Sequence, residues 1–256
     1  MKKLFEKKPV LFAVIWIVIY VVGFGSAGIQ TENAALNYAL QTAAGLIICG
    51  VLLGFIRKNG LAEHFGLCRF RGEPKRFLYL LPPLLAAAVN IWSGFGMRER
   101  TAAANLLGVL AIGVLGPFLE ELILRSILFR AVARTNTRRG FWIAALSFGI
   151  GHLVNIAYGA SVPDTLIQVG FACCFGICTG ALLYTGKSLL PGVLLHIMHN
   201  SLGFIGATEK EQVWYYLPVC VIDLAYGAYL LHAHRETCPL TSAPYPDEEG
   251  GTARRD

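Results

Sequence analysis

Two glutamates and an arginine lie inside an otherwise apolar stretch, Gly116-Pro-Phe-Leu-Glu-Glu-Leu-Ile-Leu-Arg125, and His152 and His196 fall in two later hydrophobic runs. Ionisable side chains at membrane depth are costly and rare, and they tend to line a site or a water-filled cavity. The spacing gives each group a direction. Glu121 and Arg125 are four apart, so on a helix they share a face and can pair. Glu120 is turned from Glu121 by about 100° and points elsewhere, so one carboxylate can be held while the other stays available. Phe148 and His152 are also four apart, as are His196 and Asn200. Each of these pairs can present two side chains to one cavity. A shielded carboxylate and imidazole can activate a water by general-base chemistry. A second imidazole with an amide N–H₂ can donate to a developing oxyanion. The set reads as water-mediated amide hydrolysis.

These residues need helices in a bilayer to position them. The 256-residue chain is 55% hydrophobic and 15% charged, with a mean hydropathy of +0.56. Soluble domains carry about 25% charged residues. A bilayer core takes roughly 20 apolar residues per helix, which predicts spans at 9–27, 36–56, 77–95, 104–131, 141–159, 165–185, 188–206 and 213–232. The expected fold is therefore all-α, a polytopic helical bundle of about eight transmembrane helices forming one domain over residues 1–235. The 236–256 segment is polar and rich in Pro and Gly, and is expected to be a disordered cytoplasmic tail. The run after Met1-Lys-Lys lacks a clear cleavage site and is read as the first span.

Basic clusters alternate with acidic or neutral loops. Lys2, Lys3, Lys7 and Lys8, then Arg57 to Arg76, Arg130 to Arg139, Lys187 and Arg235 mark one side; Glu32, Asp164 and Glu209 to Glu211 mark the other, with Met97 to Arg100 as an exception. Positive-inside counting puts both termini in the cytoplasm. At 1.5 Å per residue, Glu120 lies roughly 15 Å from Arg130, His152 roughly 20 Å from Arg139 and His196 roughly 13 Å from Lys187. Three helices thus bring their polar residues to a similar level, and a bond cleaved near the cytoplasmic side is expected. The net charge of +6 is mostly juxtamembrane and suits anionic lipid headgroups. No aromatic-interleaved basic patch supports nucleic-acid binding. The seven cysteines include no CxxC pair and suggest neither a disulfide framework nor a thiolate zinc site.

Glu120-Glu121-x-x-x-Arg125, Phe148-x-x-x-His152 and His196-x-x-x-Asn200, in this order on successive hydrophobic helices, resemble the three motifs of the CPBP family. This family comprises CAAX proteases and bacteriocin-processing proteins, also called Abi proteins, and is similar to the type II CAAX prenyl endopeptidase, an intramembrane glutamic protease. The motifs lie within residues 120–200, in a core of about 104–207. The resemblance implies that Glu120 and His152 activate the attacking water and that His196 and Asn200 form the oxyanion hole. It implies supporting roles for Glu121, Arg125 and Phe148. The implied substrate is a peptide or a membrane-anchored protein, and no cofactor is implied.

Other readings use the same inventory. One Glu and two His can bind Zn²⁺, although no HExxH is present. An intramembrane Glu, His and Arg can also serve a transporter, but here they cluster at one level instead of crossing the membrane. A non-catalytic scaffold or immunity protein could keep the same fold. His199 lies near the His196 face and reads as a helix–helix contact. Asp223 could pair with Arg125 or cap a polar cavity, and Asn90 and Gln168 read as interhelical hydrogen bonds.

Overall fold

The computed structural model describes residues 1–29, 31–70, 80–91, 94–97, 99, 101–206 and 213–245. A short helix, α1 (Lys2–Lys7), precedes α2 (Pro9–Gly25), which starts on a proline whose missing N–H would be unpaired there in any case. Then follow α3 (Ala34–Lys58), α4 (Leu81–Ile91), α5 (Ala102–Ala133), α6 (Thr137–Ala157), α7 (Val162–Gly186), α8 (Leu190–Ile205) and α9 (Val213–Ala233). Side-chain caps fix several starts: Asn33, Thr101, Asn136 and Ser161 each accept a backbone N–H of the first turn. α7 ends where Lys187 turns left-handed at φ 55°.

Five helices among the described residues are long and apolar enough to cross a membrane: α3, α5, α6, α7 and, over Tyr216–Ala233, α9. α2, α4 and α8 are shorter apolar helices. The protein is thus a helical polytopic membrane protein; of the roughly eight crossings expected, five helices among the described residues have the length for one and three more are apolar but shorter. Large apolar side chains face outward along these helices, including Val18, Ile47, Leu106, Ile150, Leu166, Leu194 and Val221, as lipid contact requires. The expected span 77–95 extends at both ends outside the described residues; its described part is helical over Leu81–Ile91.

The central element is α5, packed against α2, α3, α6 and α8. Pro117 has no N–H to give the carbonyl four residues back, at Gly113. The helix widens on both sides of it, over Val109–Leu115 and Glu121–Leu128, and the Gly116 N–H reaches back five residues to the Ala111 carbonyl. This frees two carbonyls, and α8 takes both. Asn200 Nδ2 donates to the Ile112 oxygen at 3.3 Å, and Ser201 Oγ donates to the Gly113 oxygen at 3.3 Å. Wide turns of this kind occur often at functional sites.

α7 lies between α6 and α9. Gly149 of α6 sits so close to α7 that a Cβ there would stand 2.7 Å from the Val169 carbonyl oxygen and 2.8 Å from the Cys173 nitrogen. One apolar core joins Phe5, Phe12, Phe55 and Phe65 to the inner faces of α3 and α5. A second joins α6, α7 and α9 to the chain's C-terminal segment.

That segment differs from expectation. Residues 246–256 lie outside the described residues, but 237–245 pack on the bundle end instead of forming a disordered tail. Thr137 donates to the Ala243 oxygen through both N–H and Oγ1, Arg138 N–H reaches Thr241, and Tyr245 N–H reaches Ala133. The Tyr245 ring lies beneath Arg130, 4.3 Å from its guanidinium carbon, and accepts a 2.5 Å bond from Lys187 Nζ at its hydroxyl. Polar composition suggested disorder because it does not register one aromatic anchor.

Candidate functional site

A cavity of about 680 Å³ opens between α2, α5, α6, α7 and α8. Glu120, Phe148, His152, His196, His199 and Asn200 all line it. Glu121 and Arg125 lie in the layer behind, fully enclosed. The widened turn of α5 sends Glu120 to the cavity and Glu121 into the protein.

His196 joins the two carboxylates. Its Nδ1 is 3.0 Å from Glu121 Oε1, and its Nε2 is 3.5 Å from Glu120 Oε2. On the far side of Glu121, Oε2 lies 3.7 Å from Arg125 Nε. Arg125 Nε donates to Thr179 Oγ1 at 3.1 Å, and the guanidinium carbon stands 3.8 Å over the Phe148 ring. Phe148 presents its edge or face to three partners at once. Its ring centroid is 5.3 Å from that of His196 and 5.2 Å from that of His152. A ring so placed fixes the guanidinium by cation–π attraction and sets the gap between the two imidazoles.

His152 ends the regular part of α6. Its N–H bonds to the Gly149 carbonyl at 3.0 Å, a tightened turn that brings the imidazole to the cavity wall. Asn200 spends one N–H on Ile112; an amide nitrogen carries two, so the second remains for the cavity.

Sequence reasoning missed Tyr20, whose O–H donates to Glu120 Oε1 at 2.7 Å. Its ring stacks on Phe24 with centroids 5.2 Å apart. Thr179 was missed as well. In sequence both are single polar atoms in apolar helices, and no spacing rule links them to residues 100 and 54 positions away. His199 sits on the cavity wall with Nδ1 3.2 Å from Asn90 Nδ2, its ring stacked on Phe171. Gln168 accepts from Asn155 at 2.8 Å. Asp223 is buried beside Cys178, whose thiol bonds to it, and no ion pair joins it to Arg125. Among the described residues, no three His, Cys, Asp or Glu side chains converge closely enough to hold a metal ion.

Residues 102–202 match the family described as "Type II CAAX prenyl endopeptidase Rce1-like". This segment is similar to that family over 101 residues. It takes in α5 to α8 and every site residue named from the three motifs. The chain is 25% identical over 146 residues to "Probable CAAX prenyl protease 2" of Schizosaccharomyces pombe, covering 49% of this chain and 54% of that one. It is 26% identical over 214 residues to "Putative membrane peptidase YdiL" of Bacillus subtilis, covering 76% of this chain and 82% of that one. The chain thus spans about half of the fission-yeast relative's length and most of the bacterial one's. Outside the matched segment, α2 supplies Tyr20 to the same cavity.

Proposed function

We propose that this protein is a membrane endopeptidase in which Glu120 and His152 activate water and His196 and Asn200 stabilise the oxyanion. One observation carries the reading: a single imidazole, His196, lies within 3.0 Å of one glutamate and 3.5 Å of another, on the wall of the cavity that His152 and Asn200 also face. Glu120 keeps 16% of its side-chain surface exposed, so water can reach it. Glu121 has none exposed and acts through His196.

The contact with Glu121 bears on where His196 carries its proton. An ionised Glu121 is acceptor-only, so His196 Nδ1 carries the hydrogen between them. In the neutral ring Nε2 is then a lone pair. A donor to an oxyanion needs hydrogen on Nε2 as well, the nitrogen that faces Glu120 Oε2 at 3.5 Å. Arg125 and Glu121 hold the ring in place. In the proposed sequence water, oriented by His152, gives one proton to Glu120 as its oxygen bonds to the scissile carbonyl carbon, and the C–N bond breaks when the adduct collapses. His196 and the second Asn200 N–H receive the oxyanion, and the proton passes to the leaving nitrogen. No metal enters this sequence.

By similarity to the fission-yeast relative, the first substrate to try is a quenched fluorescent peptide ending in a prenylated CAAX sequence. Glu120→Gln, which keeps shape and hydrogen bonding, is expected to abolish cleavage and leave the thermal midpoint and membrane insertion unchanged. Full activity in that variant sinks the assignment.

A further inference from the structure

The cavity has a wet end. Of the described residues that line it, only Gly151, Ala160, Asp164 and Gln168 are exposed, and all four stand where α6 ends and α7 begins. At its other end, Ile17, Ile123, Leu124, Ala172 and Phe175 close the cavity, with Glu121, Arg125 and Thr179 behind them. The rim is fixed as well as exposed. Tyr158 Oη donates to the Val21 carbonyl at 3.1 Å and ties the α6–α7 turn to α2, while Asn155 and Gln168 bond across it. Ser161 caps α7 and bonds to the Asp164 carboxylate.

This end is poorer in basic residues than the other, with Arg98 and Arg100 as the exception. Arg138 and Arg139 begin α6 and Lys187 ends α7, whereas Asp164 stands in the first turn of α7. From Asp164 to Lys187 is roughly 35 Å of helix, which exceeds a hydrocarbon core of about 30 Å. The rim and the basic loops therefore belong to opposite faces of the membrane. Counting depth along the helices gives the level of Glu120 but does not say which end of the cavity is open.

We propose that substrate reaches Glu120 from the face opposite the basic loops, which positive-inside orientation makes the extracytoplasmic face. The inference rests on the endopeptidase reading and narrows its substrate class to an exported peptide, or the outer end of a membrane-anchored one. Glu120 lies mid-membrane, about 15 Å of helix from Arg130, so an extended chain at about 3.3 Å per residue needs four to five residues between rim and cleaved bond. The substrate must therefore offer an unfolded end. The ionisable rim residue is an aspartate, which favours a neutral or cationic segment.

Sealed vesicles of known sidedness, holding the full chain, test this without a substrate. An impermeant maleimide, read peptide by peptide by mass spectrometry, locates Ala160→Cys on one face and Thr135→Cys on the other. A charged, impermeant carbodiimide with glycine methyl ester then probes Glu120. Modification from the Ala160 face alone, lost once a bulky maleimide occupies Ala160→Cys, is the expected result. Modification from the Thr135 face, from both faces equally, or from neither, overturns the proposal. In intact cells Ala160→Cys should be labelled and Thr135→Cys not; the reverse refutes the extracytoplasmic assignment. Peptidase activity is measured separately: a chain that cleaves nothing but shows one-sided Glu120 modification fails the endopeptidase reading and keeps the sidedness.

Discussion

Tyr20→Phe removes one oxygen atom and leaves the ring stacked on Phe24. That oxygen donates to Glu120 Oε1 at 2.7 Å and leaves Oε2 to face His196. On the proposed mechanism, the hydroxyl decides which carboxylate oxygen serves as the base and holds it still. A hydrogen bond to a charged group contributes about 1.5–3 kcal/mol. Because Glu120 retains 16% exposure, water can replace part of the lost bond, so the lower end applies. About 1.5 kcal/mol corresponds to roughly a tenfold fall in kcat. The peptide loses no direct contact, so KM should stay within about twofold. Initial rates over a range of CAAX peptide concentrations, beside a thermal melt of the purified protein, separate these quantities. An unchanged kcat, or a loss that falls wholly on KM, refutes the positioning role. Tyr20→Leu, which also breaks the stack, should lower the melting midpoint where Tyr20→Phe does not.

Gly149→Ala places a methyl 2.7 Å from a backbone oxygen that no rotamer change can move. Separation of α6 from α7 should reduce the yield of monodisperse protein by size exclusion and should lower activity together with it. Tyr245→Ala removes the ring beneath Arg130 and the Lys187 bond. Truncating a buried aromatic costs about 3–5 kcal/mol, and faster amide exchange at Thr137 and Arg138 should accompany a lower melting midpoint. Exhaustive chelation is expected to leave cleavage intact; loss restored by added Zn²⁺ would replace the proposed water activation with metal chemistry.

The helices were legible because a bilayer demands long apolar runs, and the cap residues Asn33, Thr101 and Asn136 stand where the runs begin. The three motif pairs were legible because i,i+4 spacing survives any packing. The closing of the site was not. Tyr20 and Thr179 act through contacts across 100 and 54 residues, and distance along the chain carries no trace of them. Asp223 shows the reverse failure: a charge at the right depth suggested Arg125, but it faces α7 at Cys178. Residues 237–245 show that composition reports average polarity, while order can depend on one ring such as Tyr245.

The two carbonyls that Pro117 leaves open in α5 bear on how α5 and α8 depend on each other. No water in the hydrocarbon core can satisfy Ile112 and Gly113, and their partners, Asn200 and Ser201, are synthesised about 88 residues later. α8, which brings those partners, has 16 residues, or about 24 Å of helix, short of a full crossing. Neither helix is complete alone. Gly113 lacks its usual donor because of Pro117, and the packing of α8 against α5 supplies one, so the two helices complete each other in the assembled protein.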